Sequence, residues 1–314
     1  MLSASNISKT YPNGIKALQD VNLEVSEGEI MGFIGLNGAG KTTFIKIANG
    51  VLQNDTGNIT ICGMNPISEL KKITRKIAWI PQDGLRKFNT FLSGRDNIIY
   101  FSRLKGMNSL QINQKLDELL EHLCPAKDFI DKKISIMSGG QKQLCNLLTG
   151  FVLDSEFLFC DEISVNIDPI TLDKIYSYLR EYASEGKSVL LTSQNLHEIE
   201  ELSNTIALLH KGKIMQVGKP KDISNKLLKY EIIDIGFEER MKELNSIKDF
   251  SLKLESIADK IIIDNEKNLI RIYCEDSLSL LPQVVEFLKE YNFAASIESG
   301  KADLTNAIIT LAGR

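Results

Sequence analysis

The sequence predicts an α/β protein whose first unit is a parallel β-sheet covered by helices. Up to about residue 220, short apolar runs of strand length alternate with segments of helical periodicity, and such alternation favours parallel strands joined by crossover helices. A glycine-rich segment at residues 35–40 directly follows one of these runs, as a strand-to-helix turn does. Beyond residue 220 the pattern changes to a smaller α+β unit.

Each element of the first unit is predicted from its apolar spacing. Strands are expected over residues 2–7, 21–25, 29–35, 157–160, 188–192 and 205–209. Helices are expected from Lys41 onward, over 172–182 and over 197–203. Between residues 91 and 124, apolar side chains recur every three to four positions, which predicts an all-helical insertion. We therefore place a domain over 1–222, with a helical subdomain at about 86–150.

The remaining residues, 223–314, form a second predicted domain. Its expected elements are strand 229–237, helix 238–246, strands 258–264 and 269–274, helix 277–290, strand 292–298 and a final helix at 304–311. The first six follow the split β-α-β-β-α-β, or ferredoxin-like, order. The predicted fold class is thus a sheet-and-helix core with antiparallel and helical subdomains, followed by a small α+β accessory domain.

Composition excludes several classes of function. The chain has 314 residues, with 37 Lys and Arg against 41 Asp and Glu, a net charge of −4. It therefore lacks the broad positive field of a nucleic-acid-binding protein. Its apolar runs are shorter than a membrane-spanning helix, its beginning has no apolar signal core, and its five cysteines are scattered. We expect a reduced, cytoplasmic protein with no nucleic-acid partner.

Residues 35–42 fit the phosphate-binding pattern G-x-x-x-x-G-K-[ST] between an apolar strand and a helix. Glycines let successive backbone amides face a phosphate, and the helix N-terminus adds partial positive charge. Lys41 neutralises the outer phosphates, Thr42 holds Mg²⁺ and Thr43 contacts an inner phosphate. The candidate phosphate ligands of this loop are Gly35, Asn37, Gly38, Ala39, Gly40, Lys41, Thr42 and Thr43.

Two adjacent acidic residues follow a predicted strand and are candidates for metal binding and catalysis. Asp161 and Glu162 end the apolar run 157–160, about 120 residues after Lys41. Asp161 is the candidate Mg²⁺ ligand, and Glu162 is the candidate general base that polarises an attacking water. Lys41 and Glu162 are therefore two candidate catalytic residues.

A third motif, Met137–Gln141, precedes a helix just ahead of the acidic strand. With this motif the sequence resembles the ATP-binding cassette (ABC) ATPases over about residues 1–220. The resemblance implies that two cassettes sandwich two ATP molecules head to tail. Each cassette then presents its signature residues to the ATP of the other, here Ser138, Gly139, Gly140 and Gln141.

Four further positions take roles from this resemblance. Tyr11 lies where an aromatic ring stacks on adenine, and Gln82 matches the glutamine that contacts Mg²⁺ and water and senses a permease. Asp168 matches the acid of the loop that links the two active sites. Gln194 stands where the family has its switch histidine. Gln194 is therefore the third candidate catalytic residue. Its amide still donates a hydrogen bond to the γ-phosphate but cannot take up a proton or a charge, so we expect a slow ATPase.

Other departures from the family pattern are Ile163 after the two acids, Val165 in the linking loop and Leu144 after the signature. Because Lys41 and Glu162 are retained, a slow site is favoured over an inactive one. The resemblance implies ATP and Mg²⁺ as cofactors.

Three alternatives stay open among ABC proteins. A single cassette whose helical region resembles that of transporters, with an ending at 302–314 that resembles efflux ATPases, indicates the ATPase subunit of an exporter of drugs, peptides, lipids or polysaccharide. Such a subunit binds the cytoplasmic face of a separately encoded permease, as a homodimer or a heterodimer. A regulatory or assembly protein that scarcely hydrolyses ATP is the second alternative. An iron-sulfur assembly ATPase is the third, disfavoured by the extra domain.

Overall fold

The chain divides into two units, Met1–Pro220 and Lys221–Arg314. A computed structural model describes residues 1–82, 84–124, 127–193, 196–227, 231–238, 247–265 and 268–301. Within these ranges, no helix has both the length and the apolar character needed to cross a bilayer. The five cysteines are free thiols.

In the described part of the first unit, nine strands build the sheets: β1 (Leu2–Thr10), β2 (Lys16–Val25), β3 (Ile30–Ile34), β4 (Thr56–Ile61), β5 (Ile77–Ile80), β6 (Phe157–Asp161), β7 (Ser188–Thr192), β8 (Thr205–His210) and β9 (Lys213–Gly218). A six-stranded sheet has the order β5-β6-β7-β3-β8-β9 and is parallel except for β9. A three-stranded antiparallel sheet has the order β2-β1-β4.

Eight helices accompany these strands in the described residues: α1 (Lys41–Ala48), α2 (Leu70–Ile73), α3 (Gly94–Leu104), α4 (Ser109–Leu123), α5 (Gly139–Phe151), α6 (Pro169–Ser184), α7 (Leu196–Leu202) and α8 (Pro220–Leu227), the last beginning at the boundary between units. Helices α3 to α5 occupy the predicted helical region. The predicted strands and helices of the first unit are confirmed to within a few residues. This arrangement is the predicted α/β fold class.

The central strands explain why the sequence reads as apolar runs. Every residue of β3, β6 and β7 is buried, as expected for parallel strands covered on both faces. In the core, the rings of Phe33 on β3 and Phe44 on α1 lie 5.2 Å apart and pack the helix against the strand. Strands β3, β5, β6 and β7 run parallel, so the segments that follow them meet at one edge, where ligands bind in open α/β sheets.

The second unit contains an antiparallel sheet and three described helices, of which α8 is the first. Its further elements are β10 (Glu231–Phe237), α9 (Ile247–Ile257), β11 (Lys260–Asp264), β12 (Leu269–Cys274), α10 (Ser277–Glu290) and β13 (Ala295–Lys301). The sheet order is β11-β12-β10-β13. Phe250 and Leu254 of α9 pack with Ile233 and Ile235 of β10 in one core.

One helix of this unit differs from the prediction. Helix α9 occupies 247–257, where the prediction had no element, and the predicted helix 238–246 lies outside the described residues except for Glu238. The reason is the spacing of buried side chains: Phe250 and Leu254 are four residues apart on one face, next to the partly buried Ile247. The predicted helix 304–311 also lies outside the described residues.

Candidate functional site

The loop between β3 and α1 is shaped by two glycines with positive φ. Gly38 has φ 79° and Gly40 has φ 112°, conformations that other residues adopt at a cost. A Cβ on Gly40 would also lie 2.4 Å from the carbonyl oxygen of Ala17. Gly40 is the N-cap of α1 and supplies no side-chain hydrogen bond to the first turn. The amides that begin α1 therefore lack a side-chain cap, as suits an anion site.

The Lys41 side chain is hydrogen-bonded to the backbone of this loop. Its ammonium donates hydrogen bonds to the carbonyl oxygens of Gly35 at 2.6 Å and Leu36 at 3.3 Å. Burial lowers the pKa of the Lys41 ammonium, and the carboxylates of Glu162 and Asp161 oppose that effect. The positive charge is thus held within the loop and close to both acids.

Asp161 ends β6 next to Thr192, its paired residue on β7. The Thr192 hydroxyl donates a hydrogen bond to the Asp161 carboxylate. Burial raises the pKa of the Asp161 carboxyl, and the contacts with Thr192 and Lys41 partly oppose it. A buried carboxylate beside a cationic loop is suited to a bound cation, which would compensate its charge.

Glu162 is turned away from the strand direction by its backbone. Its φ is 52°, in the left-handed region that few residues other than glycine adopt, and its amide donates to the carbonyl oxygen of Thr192 at 3.0 Å. The Gln82 side-chain amide, just beyond β5, donates to the Glu162 carboxylate with an Nε2–Oε2 distance of 2.5 Å. Strained backbone conformations of this kind cluster at functional sites, where they orient a side chain.

These residues line one cavity of about 280 Å³. Tyr11 contributes one wall, and its hydroxyl lies 3.2 Å from the Thr43 hydroxyl. The predicted site residues on the lining are Tyr11, Asn37, Gly38, Ala39, Gly40, Lys41, Thr42, Thr43, Gln82, Asp161 and Glu162. Gly35 contributes its carbonyl to Lys41 instead. Basic, acidic and uncapped amide groups thus meet in one place, an arrangement suited to a phosphate anion with a hard cation.

A second group of predicted residues lies on other segments and is absent from the described lining of that cavity. Ser138 is the N-cap of α5: its hydroxyl accepts from the Gln141 amide at 3.3 Å, and its own amide donates to the Gln141 side chain at 3.1 Å. A Cβ on Gly140 would lie 2.7 Å from the carbonyl oxygen of Asn166, whereas one on Gly139 would come no closer than 3.9 Å. The Ser138 turn therefore packs on the loop that follows Glu162.

Asp168 ends that loop and begins α6. Its carboxylate accepts from the Thr171 amide at 3.0 Å, an N-cap bond that holds the pKa of the Asp168 carboxyl below its usual range. The departures from the family pattern lie nearby: Ile163 is fully buried and Val165 is half exposed.

Gln194 lies outside the described residues. Just before it, the Ser193 hydroxyl donates to the carboxylate of Glu198, which also accepts from the Ser164 hydroxyl at 2.9 Å. Glu198 is almost fully buried, and burial raises the pKa of its carboxyl. The segment before Gln194 and the loop after Glu162 thus share one buried acid.

Several residues of the site were missed from the sequence. Thr192 could have been predicted as a site residue, because polar residues at the carboxyl ends of neighbouring parallel strands lie together at the sheet edge. Ile15 and Ala17 also line the cavity, but a turn and a strand start gave no chemical signal.

Comparisons with known proteins agree on one family. The ABC transporter family profile matches residues 18–165. The Nod factor export ATP-binding protein I of Rhizobium etli is 32% identical over 234 residues, covering 74% of this chain and 72% of that protein. The methionine import ATP-binding protein MetN of Helicobacter hepaticus is 28% identical over 314 residues, covering 96% of this chain and 83% of its own.

Solved structures extend the likeness to the fold. A structure described as the ATP-binding subunit of an ABC transporter aligns with a TM-score of 0.66 at 25% identity, covering 72% of this chain and 92% of that one. A dimeric post-hydrolysis ATP-binding cassette with bound ADP and Pi aligns with a TM-score of 0.64 at 24% identity, covering 70% and 99%.

Proposed function

The chain belongs to the ABC transporter family of ATPases, and we propose that it powers a separately encoded membrane permease that works as an exporter. It binds ATP and hydrolyses it with Mg²⁺. The observation that carries the catalytic proposal is the convergence of Lys41, Asp161 and the Gln82–Glu162 pair on one cavity.

We propose the following roles, which this geometry and the family resemblance support. Lys41 and the first amides of α1 hold the phosphates, and the Tyr11 ring packs against the base. Thr42, Gln82 and Asp161 would supply the oxygen ligands that Mg²⁺ prefers, and the bound ion would neutralise phosphate charge. Glu162 accepts the proton of the attacking water, and its hydrogen bond from Gln82 fixes which carboxylate oxygen is directed at that water.

A second copy or a related cassette completes the site in this proposal. Ser138, Gly139, Gly140, Gln141 and Asp168 do not line the chain's own cavity. A head-to-tail dimer presents such residues to the nucleotide of the partner. A homodimer needs only this chain, whereas a heterodimer pairs Gln194 with a partner that has its own switch residue.

The permease contact is proposed for a groove between the sheet core and the helical subdomain. Leu70 and Leu104 line this groove and are exposed, and Trp79 and Lys105 line it as well. The indole N–H of Trp79 has no hydrogen-bond partner in the described chain, and burial lowers the pKa of the Lys105 ammonium. Docking there would place the chain peripherally on the cytoplasmic membrane face.

We propose that residues 1–222 form the cassette and residues 223–314 the accessory domain.

Transport direction has support on both sides. The Nod factor export protein and the linearmycin resistance ATP-binding protein LnrL of Bacillus subtilis, 30% identical over 228 residues, favour export. The MetN alignment over 96% of the chain favours methionine import as the second candidate. A strain lacking this chain separates them: sensitivity to antimicrobial compounds supports export, and poor growth on limiting methionine supports import. Wild type must restore either phenotype and Glu162→Gln must not.

Steady-state ATP hydrolysis of the purified full chain tests the catalytic proposal. We expect Mg²⁺-dependent turnover that Glu162→Gln abolishes while ATP binding and ATP-dependent dimers persist. Glu156→Gln, a change of the same kind at an exposed salt bridge with Lys76, is the matched control. Equal low hydrolysis by wild type and Glu162→Gln, with ATP still bound, would favour the regulatory alternative.

A further inference from the structure

Helix α5 contacts the segments that carry both members of the Gln82–Glu162 pair. Its side chains Gln143 and Asn146 are 4% and 0% exposed, although amides are costly to bury. They lie three residues apart and therefore share one helix face. Both amides point to backbone next to the site.

Asn146 holds the segment that leads to Gln82. Its side-chain N–H donates to the carbonyl oxygen of Pro81 at 3.0 Å, one residue before Gln82. A Cβ on Gly84 would lie 1.9 Å from the Asn146 amide oxygen. Asn146 therefore lies against both Pro81 and Gly84, and a side chain at position 84 would displace it.

Gln143 holds the other segment. Its side-chain N–H donates to the carbonyl oxygen of Ile163 at 3.4 Å, one residue after Glu162. The same helix packs tightly on β5, since a Cβ on Gly150 would lie 2.3 Å from the Ile80 side chain. The helix is thereby held against the strand that delivers Gln82.

The Asn146 amide oxygen has no hydrogen-bond partner among the described residues. A buried acceptor left without a partner typically destabilises a protein. Stability alone gives no reason to place an amide here, whereas the bond to Pro81 gives a positional one.

We propose that Gln143 and Asn146 are positioning residues that clamp the Gln82–Glu162 pair to the helix whose N-cap is Ser138. This inference rests on the ATPase activity proposed above. The clamp fixes Gln82 and Glu162 from outside the nucleotide cavity, so that the pair keeps its place relative to the Ser138 turn. Neither amide touches substrate.

The test is steady-state ATP hydrolysis by the full chain with Asn146→Ala and, separately, Gln143→Met. We expect kcat to fall about 10-fold with KM for ATP unchanged within about twofold, because misplaced catalytic groups lower kcat without weakening substrate binding. Thr149→Val is the matched control: Thr149 is buried on the same helix, and its hydroxyl bonds within α5 to the Cys145 carbonyl.

A double-mutant cycle separates positioning from general destabilisation. In the Gln82→Ala background, Asn146→Ala should lower kcat little further, since the residue it positions is gone. Equal effects in both backgrounds, or losses no larger than those of Thr149→Val, would overturn the clamp alone. If Asn146→Ala does not fold, Gln143→Met decides by the same kcat and KM criterion. Wild type without Glu162-dependent hydrolysis would overturn the proposed function and the clamp together.

Discussion

Thr192 and Asp161 face each other across the paired ends of β7 and β6, and the threonine hydroxyl donates to the carboxylate. The contact holds a buried acid beside the cationic loop of Lys41. Burial raises the pKa of Asp161 all the same, so the site carries an electrostatic penalty in the absence of ligand. Functional sites commonly hold such groups at the expense of stability.

Asp161→Asn is expected to raise the melting temperature of the nucleotide-free protein at neutral pH. The folded pKa of the Asp161 carboxyl lies above its unfolded value near 4. The carboxyl therefore contributes stability below the unfolded pKa, and this contribution is lost as pH rises through the folded pKa. The amide removes the ionised form, and the gain over wild type should shrink as pH falls.

Thermal unfolding between pH 4 and 8 in EDTA measures this effect. Asp154→Asn is the control, because Asp154 is an exposed partner of Lys187. An Asp161→Asn melting temperature equal to or below wild type at neutral pH contradicts the prediction, as does a gain that grows on acidification.

Tyr11→Ala is expected to weaken ATP binding, and Tyr11→Phe to preserve it. Removing a ring that stacks on a base typically loses about 1–3 kcal/mol, whereas the phenylalanine ring keeps the stack and loses only the contact with the Thr43 hydroxyl. Calorimetric titration with non-hydrolysable ATP analogues compares the two. Equal weakening by both variants would show that the hydroxyl contact, and not the ring, supports binding.

Asp168→Ala is expected to destabilise the protein by about 1 kcal/mol through loss of the α6 N-cap, and Asp168→Asn to leave stability nearly unchanged. Denaturant unfolding measures both. If Asp168 also links two active sites, Asp168→Asn lowers the Hill coefficient for ATP hydrolysis while stability stays at the wild-type value. An unchanged Hill coefficient restricts Asp168 to the cap.

Gln194→His is expected to raise the hydrolysis rate. The imidazole adds a group that carries charge and transfers protons, and such contributions reach about 10²-fold in enzymes. Steady-state turnover at saturating ATP measures the gain, with Asn195→His as the neighbouring control. Unchanged or lower turnover counts against the slow-site hypothesis and favours a site in which the glutamine suffices.

Part of the candidate site could be predicted from short stretches of the sequence. The loop at 35–43 and the acids 161–162 could be predicted because each lies in one short stretch of sequence. The loop depends on a local backbone turn, and the acids depend on the end of one strand. The structure brings Lys41, Asp161 and Glu162 together at the edge of one sheet. In the second unit, the predicted strands match to within a few residues, but α9 was missed although its buried Phe250 and Leu254 have helical spacing.

The sequence by itself determined the fold class, the phosphate loop, the acidic pair and the family, because each depends on short-range order along the chain. Only the tertiary structure decided which groups touch. The bonds of Gln82 to Glu162, Thr192 to Asp161 and Asn146 to Pro81 join residues that are 80, 31 and 65 positions apart. Strand order and helix packing set these contacts, and neither is written in the spacing of one segment.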